Sequence, residues 1–487
     1  MKLIKAKCFG SLSLSLFAFS AFSQELVLTE DGLLAFSRSQ TPEILGLASE
    51  VENSKATQGE FRDQFNLRGF GSALYRETHE EPFISFQPVI SPQSIFEAGL
   101  LKQFDKGIAA KVSVGIDNRK FELTSGVENP SIVTLRAGLE VDLWRNFLGR
   151  SNMLEQGVYA SEIKQSEIYQ NIGQYDFSIQ LRSLYWNLIA IDQKIELTRK
   201  MHQLAKEQQR EAEIRFRNRA TDLSAVSLYR SQTATRASEV LLWQFQREQE
   251  VKRLKTILPT LKSSVVKLKA PTLELTKDQI NQCIAVVEQH EQAPWEYTQY
   301  DDLIFELENL RNAKVRQALL YDDPDLKLSG EVFTSAVDPS GIDALGESLT
   351  EKRQGFQVML GVQIPLGKSK TSERKIQVEN MNLEKQKIEL QQKVITQHEF
   401  LRGSIELLVE SIRNQNTNIV NMERRIKESR KKYNQGRISL SDFIVDQERL
   451  LQSDLALIDN QNLILQTLLS YLSIFSQTPC AFNRISS

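Results

Sequence analysis

The chain of 487 residues is short of the residues that most catalytic centres use. It holds 4 histidines and 3 cysteines. His79, His202, His290 and His398 are scattered, and each reads as a solvated helix or loop residue, not a ligand. Paired cysteines, a glycine-rich phosphate loop and a nucleophile elbow are all missing. A hydrolase or metalloenzyme is therefore excluded, and neither cofactor nor metal is expected. Charge of one sign is lacking too: 60 basic residues face 62 acidic ones, for a formal net charge of −2. That balance gives no reason to expect nucleic acid as a partner. Beyond the N-terminus no apolar run reaches the ~18 residues of a membrane helix, so any membrane span must be made of strands. The 12 prolines are absent from Ser131–Leu258 and from Leu366–Thr478, which leaves room for very long helices.

Residues 1–23 read as a secretory signal peptide. Lys2, Lys5 and Lys7 precede an apolar run from Phe9 to Phe22, with small residues at Ala21 and Ser23 and cleavage expected after Ser23. Losing those three lysines takes the net charge from −2 to −5. Cys8 lies ahead of the apolar run and is not placed for acylation.

The most informative stretch is 431–475. Asn434-Gln435-Gly436 breaks a helix, and Ser439 with Asp442 three residues on starts the next. Two adjacent heptad columns follow: Phe443, Leu450, Leu457, Ile464 and Tyr471, and Ile444, Leu451, Ile458, Leu465 and Leu472. Such spacing marks a coiled-coil seam. The same turn occurs earlier, since 215–232 aligns with 432–449: Phe216 with Tyr433, Leu223 with Leu440, Val226 with Phe443, and Arg219 with Gly436. A repeat spaced by about half the chain implies duplication of a whole unit.

Each unit has the same plan. The first, 24–258, predicts a helix over 29–65 with Thr29 or Asp31 as cap and a restart at Pro42. Strands follow within 66–143, then a helix over 144–216, a tip turn and a helix over 223–258. The strand 133–143 is apolar at every odd position, and 108–116 alternates likewise after an Asp105-Lys106-Gly107 turn from 96–104. After a mid-coil connector, 259–296, the second unit covers 297–476: a helix over 297–320, strands within 325–365, a helix of ~65 residues, the tip and the seam helix. Residues 477–487 form a tail. Some 70 helical residues span about 100 Å, too long for a compact domain. Strands with one apolar and one polar face suit a barrel with lipid outside and water inside, which several copies must close. A soluble sandwich would give the same alternation.

The tip motif Tyr433-x-x-Gly436-x-x-Ser439-x-x-Asp442-Phe443, the strand exits Ile364-Pro365-Leu366 and Val141-Asp142-Leu143-Trp144, and Pro324-Asp325-Leu326 before a strand together resemble the outer membrane efflux protein family, the TolC-like outer membrane factors. The resemblance covers nearly the whole mature chain. It implies a mainly α fold with β: a homotrimeric channel-tunnel in which long antiparallel coiled-coil helices carry a shared transmembrane β-barrel of twelve strands. It further implies a passive exit duct of a tripartite efflux or type I secretion system. Such a duct sits in outer membrane lipid and crosses the periplasm to meet a periplasmic adaptor and an inner-membrane pump. The alternative is an envelope coiled-coil surface protein or adhesin. Two departures stand out: four strand candidates in the first unit, where two are expected, and the missing glycine at the first tip.

On this resemblance the tip turns dock the adaptor, through Arg217, Arg219, Thr221 and Asp222 in one and Tyr433, Gly436 and Ser439 in the other. Asp442 matches the first acidic position of the family's constriction, and Asp446 lies one residue past the second. One helical turn apart, the two would stack as carboxylate rings in a trimer, with Arg437 and Arg217 or Arg219 tying the tips shut. Alternatively Asp442 only caps its helix with Ser439. Cys283 and Cys480 both fall at mid-coil, where an oxidising periplasm favours a disulfide; two unpaired buried thiols are the other reading.

Overall fold

In the computed structural model, residues 25–37, 41–78, 90–123, 126–128, 130–262, 265–269, 298–338, 354–366 and 370–475 are described, with the single residues 285, 295, 344, 346 and 348. The signal segment, Cys283, Cys480, His79 and His290 lie outside them.

Missing prolines become helices of unusual length. α3 runs Arg150–Arg217 and α6 runs Lys370–Asn434, 68 and 65 residues, or about 100 Å each at 1.5 Å per residue. Each turns back into a half-length partner, α4 (Leu223–Ile257) and α7 (Leu440–Leu472). The remaining length of α3 is met by α2 (Pro42–Asp63), and that of α6 by α5 (Asp301–Leu319). α1 (Glu30–Ser37) precedes α2 across a break at which Thr41 accepts from Ile44 N and Pro42 opens the new helix. Thr29, not Asp31, caps α1, accepting from Gly32 N at 3.1 Å.

The helices form a slab in which α3 packs on α4, α2, α5 and α7, while α6 packs on α5 and α7. α3 and α7 are thus the inner pair, with α4 and α6 at the two edges. Edge faces keep large apolar side chains in water: Leu241, Leu242 and Phe245 on α4, Phe400 and Leu407 on α6. α7 instead buries its seam, with Phe443, Ile444, Leu451, Ile464, Leu465, Leu468, Leu469 and Tyr471 all covered. The largest core sits at mid-coil, where Tyr185 and Trp186 of α3 meet Leu254, Leu303, Leu401, Tyr471 and Phe475. His398, expected in water, is 1% exposed there, with ring centroids 5.8 Å from Tyr471 and 5.5 Å from Phe475. Burial pushes the Tyr185 and Tyr471 phenols up to about 12.

Polar pairs cross the α3–α7 interface at intervals. Ser183 and Gln466 bond each other twice, Asn462 Nδ2 donates to Asn187 Oδ1 at 3.3 Å, Lys194 pairs with Asp459, and Gln208 donates to Gln447 at 2.8 Å. Buried polar residues at a seam set its register.

Besides the three-residue β5 (Gly126–Glu128), two strands have no counterpart in the sequence reading. β1 (Glu25–Leu28) pairs in parallel with β7 (Val265–Leu268) and ties the start of the described chain to the connector at mid-coil. Beside it, Glu30 is buried in an ion pair with Arg182 and accepts from Trp186 Nε1 at 3.3 Å.

At the end away from the tips lies one antiparallel sheet, in the order β2 (Leu67–Arg76), β3 (Ile90–Phe104), β4 (Ile108–Leu123), β6 (Ser131–Asp142), β8 (Asp325–Asp338), β9 (Gln354–Gln363). The short β5 (Gly126–Glu128) pairs only with β4, off that path. Side chains in one cross-strand row share a face. One row reads Gly69, Leu100, Val112, Ala137, Val332, Phe356; its neighbour on the opposite face reads Arg68, Leu101, Lys111, Gly138, Glu331, Gln357. The polar face is laced by Lys111–Glu97 at 2.9 Å, Lys327–Glu140 at 3.2 Å and Arg136–Glu331 at 3.6 Å. Near the far end of the strands Ala344 packs over Val133 and Ala336. Below the sheet, Trp144, Phe147, Tyr321 and Leu366 are exposed where strands give way to helices.

Candidate functional site at the helix tips

Both tips are closed by the same backbone device. At the second, Gly436 takes φ 67°. Gly436 N bonds Tyr433 O at 2.9 Å, and Arg437 N reaches back five residues to Lys432 O at 2.8 Å. At the first, Arg219 takes φ 56°, with Arg219 N on Phe216 O at 2.9 Å and Ala220 N on Arg215 O at 2.8 Å. These are paired helix-end bonds around a left-handed residue, which glycine adopts freely and arginine only at a cost. The aligned positions thus share one conformation despite their different residues. Each following helix is capped in turn: Asp222 Oδ1 accepts from Ala225 N at 2.9 Å, and Ser439 Oγ accepts from Asp442 N at 3.1 Å.

The tips are fastened to each other. Ala212, Val226, Tyr229 and Ile444 form a small buried cluster between the two hairpins. Tyr433 stacks on Phe443 with centroids 5.7 Å apart and planes within 5°. Arg215 lies over the Tyr433 ring and donates to its hydroxyl at 3.1 Å, while its other arm holds Glu211. Burial first, and then the neighbouring Tyr433, raises the Tyr229 phenol. Arg236 bridges Glu239 and Glu448 at 2.7 and 3.0 Å, joining α4 to α7. Hydrogen bonds from Gln209 and then Arg230 hold the Glu213 carboxyl below its ordinary value.

No protein-family model matches the chain by sequence, and neither does any curated protein. Solved structures do match its shape. The outer membrane protein VceC from Vibrio cholerae aligns at TM-score 0.66 and 14% identity, over 91% of this chain and 95% of that one. CusC, described through its folding and transmembrane channel formation, gives 0.66 at 11% identity over 91% of each chain. The Campylobacter jejuni CmeC outer membrane channel gives 0.64 at 12%, over 98% of this chain and 94% of that one. The chain has the fold of the TolC-type outer membrane efflux channels. These neighbours are channels, not enzymes.

Within this channel fold the sequence-predicted tip residues separate into three groups. Arg217, Arg219, Asp222, Gly436, Arg437 and Ser439 are exposed at the turns, Thr221 and Tyr433 half-buried. Asp442 is exposed and completes the cap, its Oδ2 accepting from Ser439 Oγ at 2.6 Å. Asp446 is 3% exposed, accepting from Ser429 Oγ at 2.7 Å and paired with Arg425 at 2.8 Å. Asp446 thus faces α6 of its own hairpin and locks α6 to α7, whereas Asp442 stands at the turn. The ion pair that joins the tips runs through Arg236 and Glu448, whereas Arg217 reaches its own helix at Glu213 O. Arg215, Arg236 and Glu448 were missed by sequence reasoning. Their only signal is distance from the turn along helices whose pairing the sequence leaves open.

Among the described residues no group of three or more metal-ligating side chains converges, and no helix is long and apolar enough to cross a membrane.

Proposed function

We propose that this protein is the outer membrane exit duct of a tripartite export system, working as a homotrimer whose sheets close into one barrel and whose helices form a periplasmic tunnel. The observation that carries the reading is a set of unfinished edges. Among the described residues β2 and β9 end the sheet with unpaired backbone, and an open edge is not tolerated in lipid. The helical slab ends likewise, in α4 and α6 with their apolar faces exposed. Copies set side by side join β9 to β2 and α6 to α4 in a single step. The aromatic and apolar residues at the strand–helix junction then lie at the inner membrane–water interface of the barrel, where such rings prefer to sit.

The two units of the chain are structural repeats, and the tips receive the adaptor and, through it, the inner-membrane pump of an efflux or type I secretion system. Arg217, Arg219, Thr221, Asp222, Tyr433, Gly436 and Ser439 form the docking surface, and Asp442, with Arg437 beside it, faces the aperture. The pump selects the cargo and the duct conducts it. The test is reconstitution: the mature protein should run as a heat-sensitive trimer on unboiled gels and conduct ions across planar bilayers. A monomer without conductance would overturn the reading.

A further inference from the structure

We propose that the β3–β4 hairpin is barrel wall, so that three copies close eighteen strands, six from each chain, in place of the twelve that the resemblance implies. The inference rests on the trimeric channel reading above.

Four observations place the hairpin in the wall. It lies inside the hydrogen-bonded path, between β2 and β6; an added flap would hang off the path, as β5 does. Its pairing is in register for its length, thirteen residue pairs from Ile90–Phe121 to Phe104–Ile108, with one irregularity near Ile90. Both faces also continue through it unbroken. Leu100 and Val112 extend the apolar row that ends in Val332 and Phe356, while Lys111 and Glu97 extend the charged face that holds Arg136 and Glu331. A hairpin standing in water on both sides has no physical reason to keep Leu100 and Val112 half or more exposed on one face alone.

The hairpin turn is also fitted to the frame. Unlike the other strand ends on that rim, Asp105–Gly107 does not run on into a helix, and the end of β6 and the start of α3 hold it. Asp142 N donates to Gly107 O at 2.9 Å, and Asn152 Nδ2 donates to Asp105 O at 2.9 Å. Gly107 and Gly149, at φ 75° and 80°, let the two backbones touch: a Cβ on the first would overlap Asn146 O, and one on the second Asp105 O. Finally, the polar face is the crowded one. A Cβ at Gly99 would run into Val112 O, and the Phe70 ring fills the space over that glycine, as Phe333 does over Gly355. Crowding on the charged side is what a sheet curling towards that side produces, so the charges line the interior.

Barrel diameter grows roughly in proportion to strand number, so the barrel is about 1.5 times as wide as a twelve-stranded one and its open cross-section about twofold larger. The duct is then broad at the outer membrane and carries paired charges where a narrower wall would be packed.

Spin labels test this in the reconstituted trimer with Cys283 and Cys480 changed to alanine. Labels at Leu100→Cys and Val112→Cys should match Val332→Cys and Phe356→Cys in collision with oxygen, which concentrates in lipid. The label at Lys111→Cys should match Gln357→Cys in collision with a water-soluble nickel chelate. Nickel accessibility at Leu100 and Val112, with Val332 and Phe356 still in lipid, overturns the eighteen-stranded barrel and leaves the channel. Nickel accessibility at all four overturns the channel reading and the barrel with it. Electron microscopy of the unsubstituted trimer is the independent check: a barrel about 1.5 times the twelve-stranded width supports the proposal, and a twelve-stranded wall refutes it.

Discussion

The two hairpins of this chain, α3–α4 and α6–α7, have nearly the same length (68 and 35 residues against 65 and 33), the same turn and a side-chain cap at the same place, yet they are built from different chemistry. α7 buries an apolar seam from Phe443 to Leu472, whereas α4 buries only Val226, Tyr229, Val251 and Leu254 and leaves Leu241, Leu242 and Phe245 outside. The second hairpin supplies the interior of the slab. The first supplies an edge. The two hairpins therefore share a backbone plan while taking up different neighbours, one inside the chain and one, on our proposal, in the next subunit.

The sharpest way to break that comparison is to place one charge on each hairpin. Leu451→Asp puts a carboxylate where 1% of the surface is exposed, and an unpaired buried charge costs about 3–5 kcal/mol. The expected outcome is loss of the folded chain, read as loss of helical circular dichroism well below the wild-type melting temperature. Phe245→Asp, at 60% exposure, should leave the helical signal and abolish the trimer band. Equal effects of the two substitutions would remove the distinction between seam and edge.

The tips offer a finer contrast. Gly436→Ala forces a Cβ into the left-handed region and should destabilise by about 1 kcal/mol. Arg219→Gly relieves that same conformation, and because glycine also loosens the unfolded chain the net gain should be about 0.5–1 kcal/mol. Thermal melts of the two variants should move in opposite directions. Shifts of one sign would show that the aligned turns are not energetic equivalents.

The smallest expected effect is at Asp442. Asp442→Asn keeps the backbone bond to Ser439 and removes a charge near a helix N-terminus worth about 0.3–1 kcal/mol. If the carboxylate also lines the aperture, cation selectivity and divalent block in a planar bilayer should weaken while the trimer persists. Unchanged selectivity would leave it a cap.

Much of the fold was legible because its largest features are local. Absent prolines and the caps at Thr29 and Ser439 delimit the helices within a few residues, and the Asp105-Lys106-Gly107 turn announces the β3–β4 hairpin. What escaped depends on contacts remote in sequence. The β1–β7 pair joins segments about half the chain apart, and two four-residue strands have no alternation to display. His398 looks like a surface residue on a polar helix until Tyr471 and Phe475 close over it. Asp442 and Asp446 lie one helical turn apart, so spacing alone treats them alike. Only the position of α6 decides that one stays in water and the other meets Arg425.

The polar pairs between α3 and α7 bear on how such long hairpins meet anything at all. A smooth apolar seam between two helices can slip by a turn, and each slip would offset one tip from the other by about 5.4 Å. Ser183 with Gln466, Asn187 with Asn462, Lys194 with Asp459 and Gln208 with Gln447 would all lose their partners in such a slip. They act as a vernier over much of the coil and hold the two turns level. A protein docking at the tips, as we propose, would meet two turns at one fixed height, some tens of ångströms from the core that anchors them.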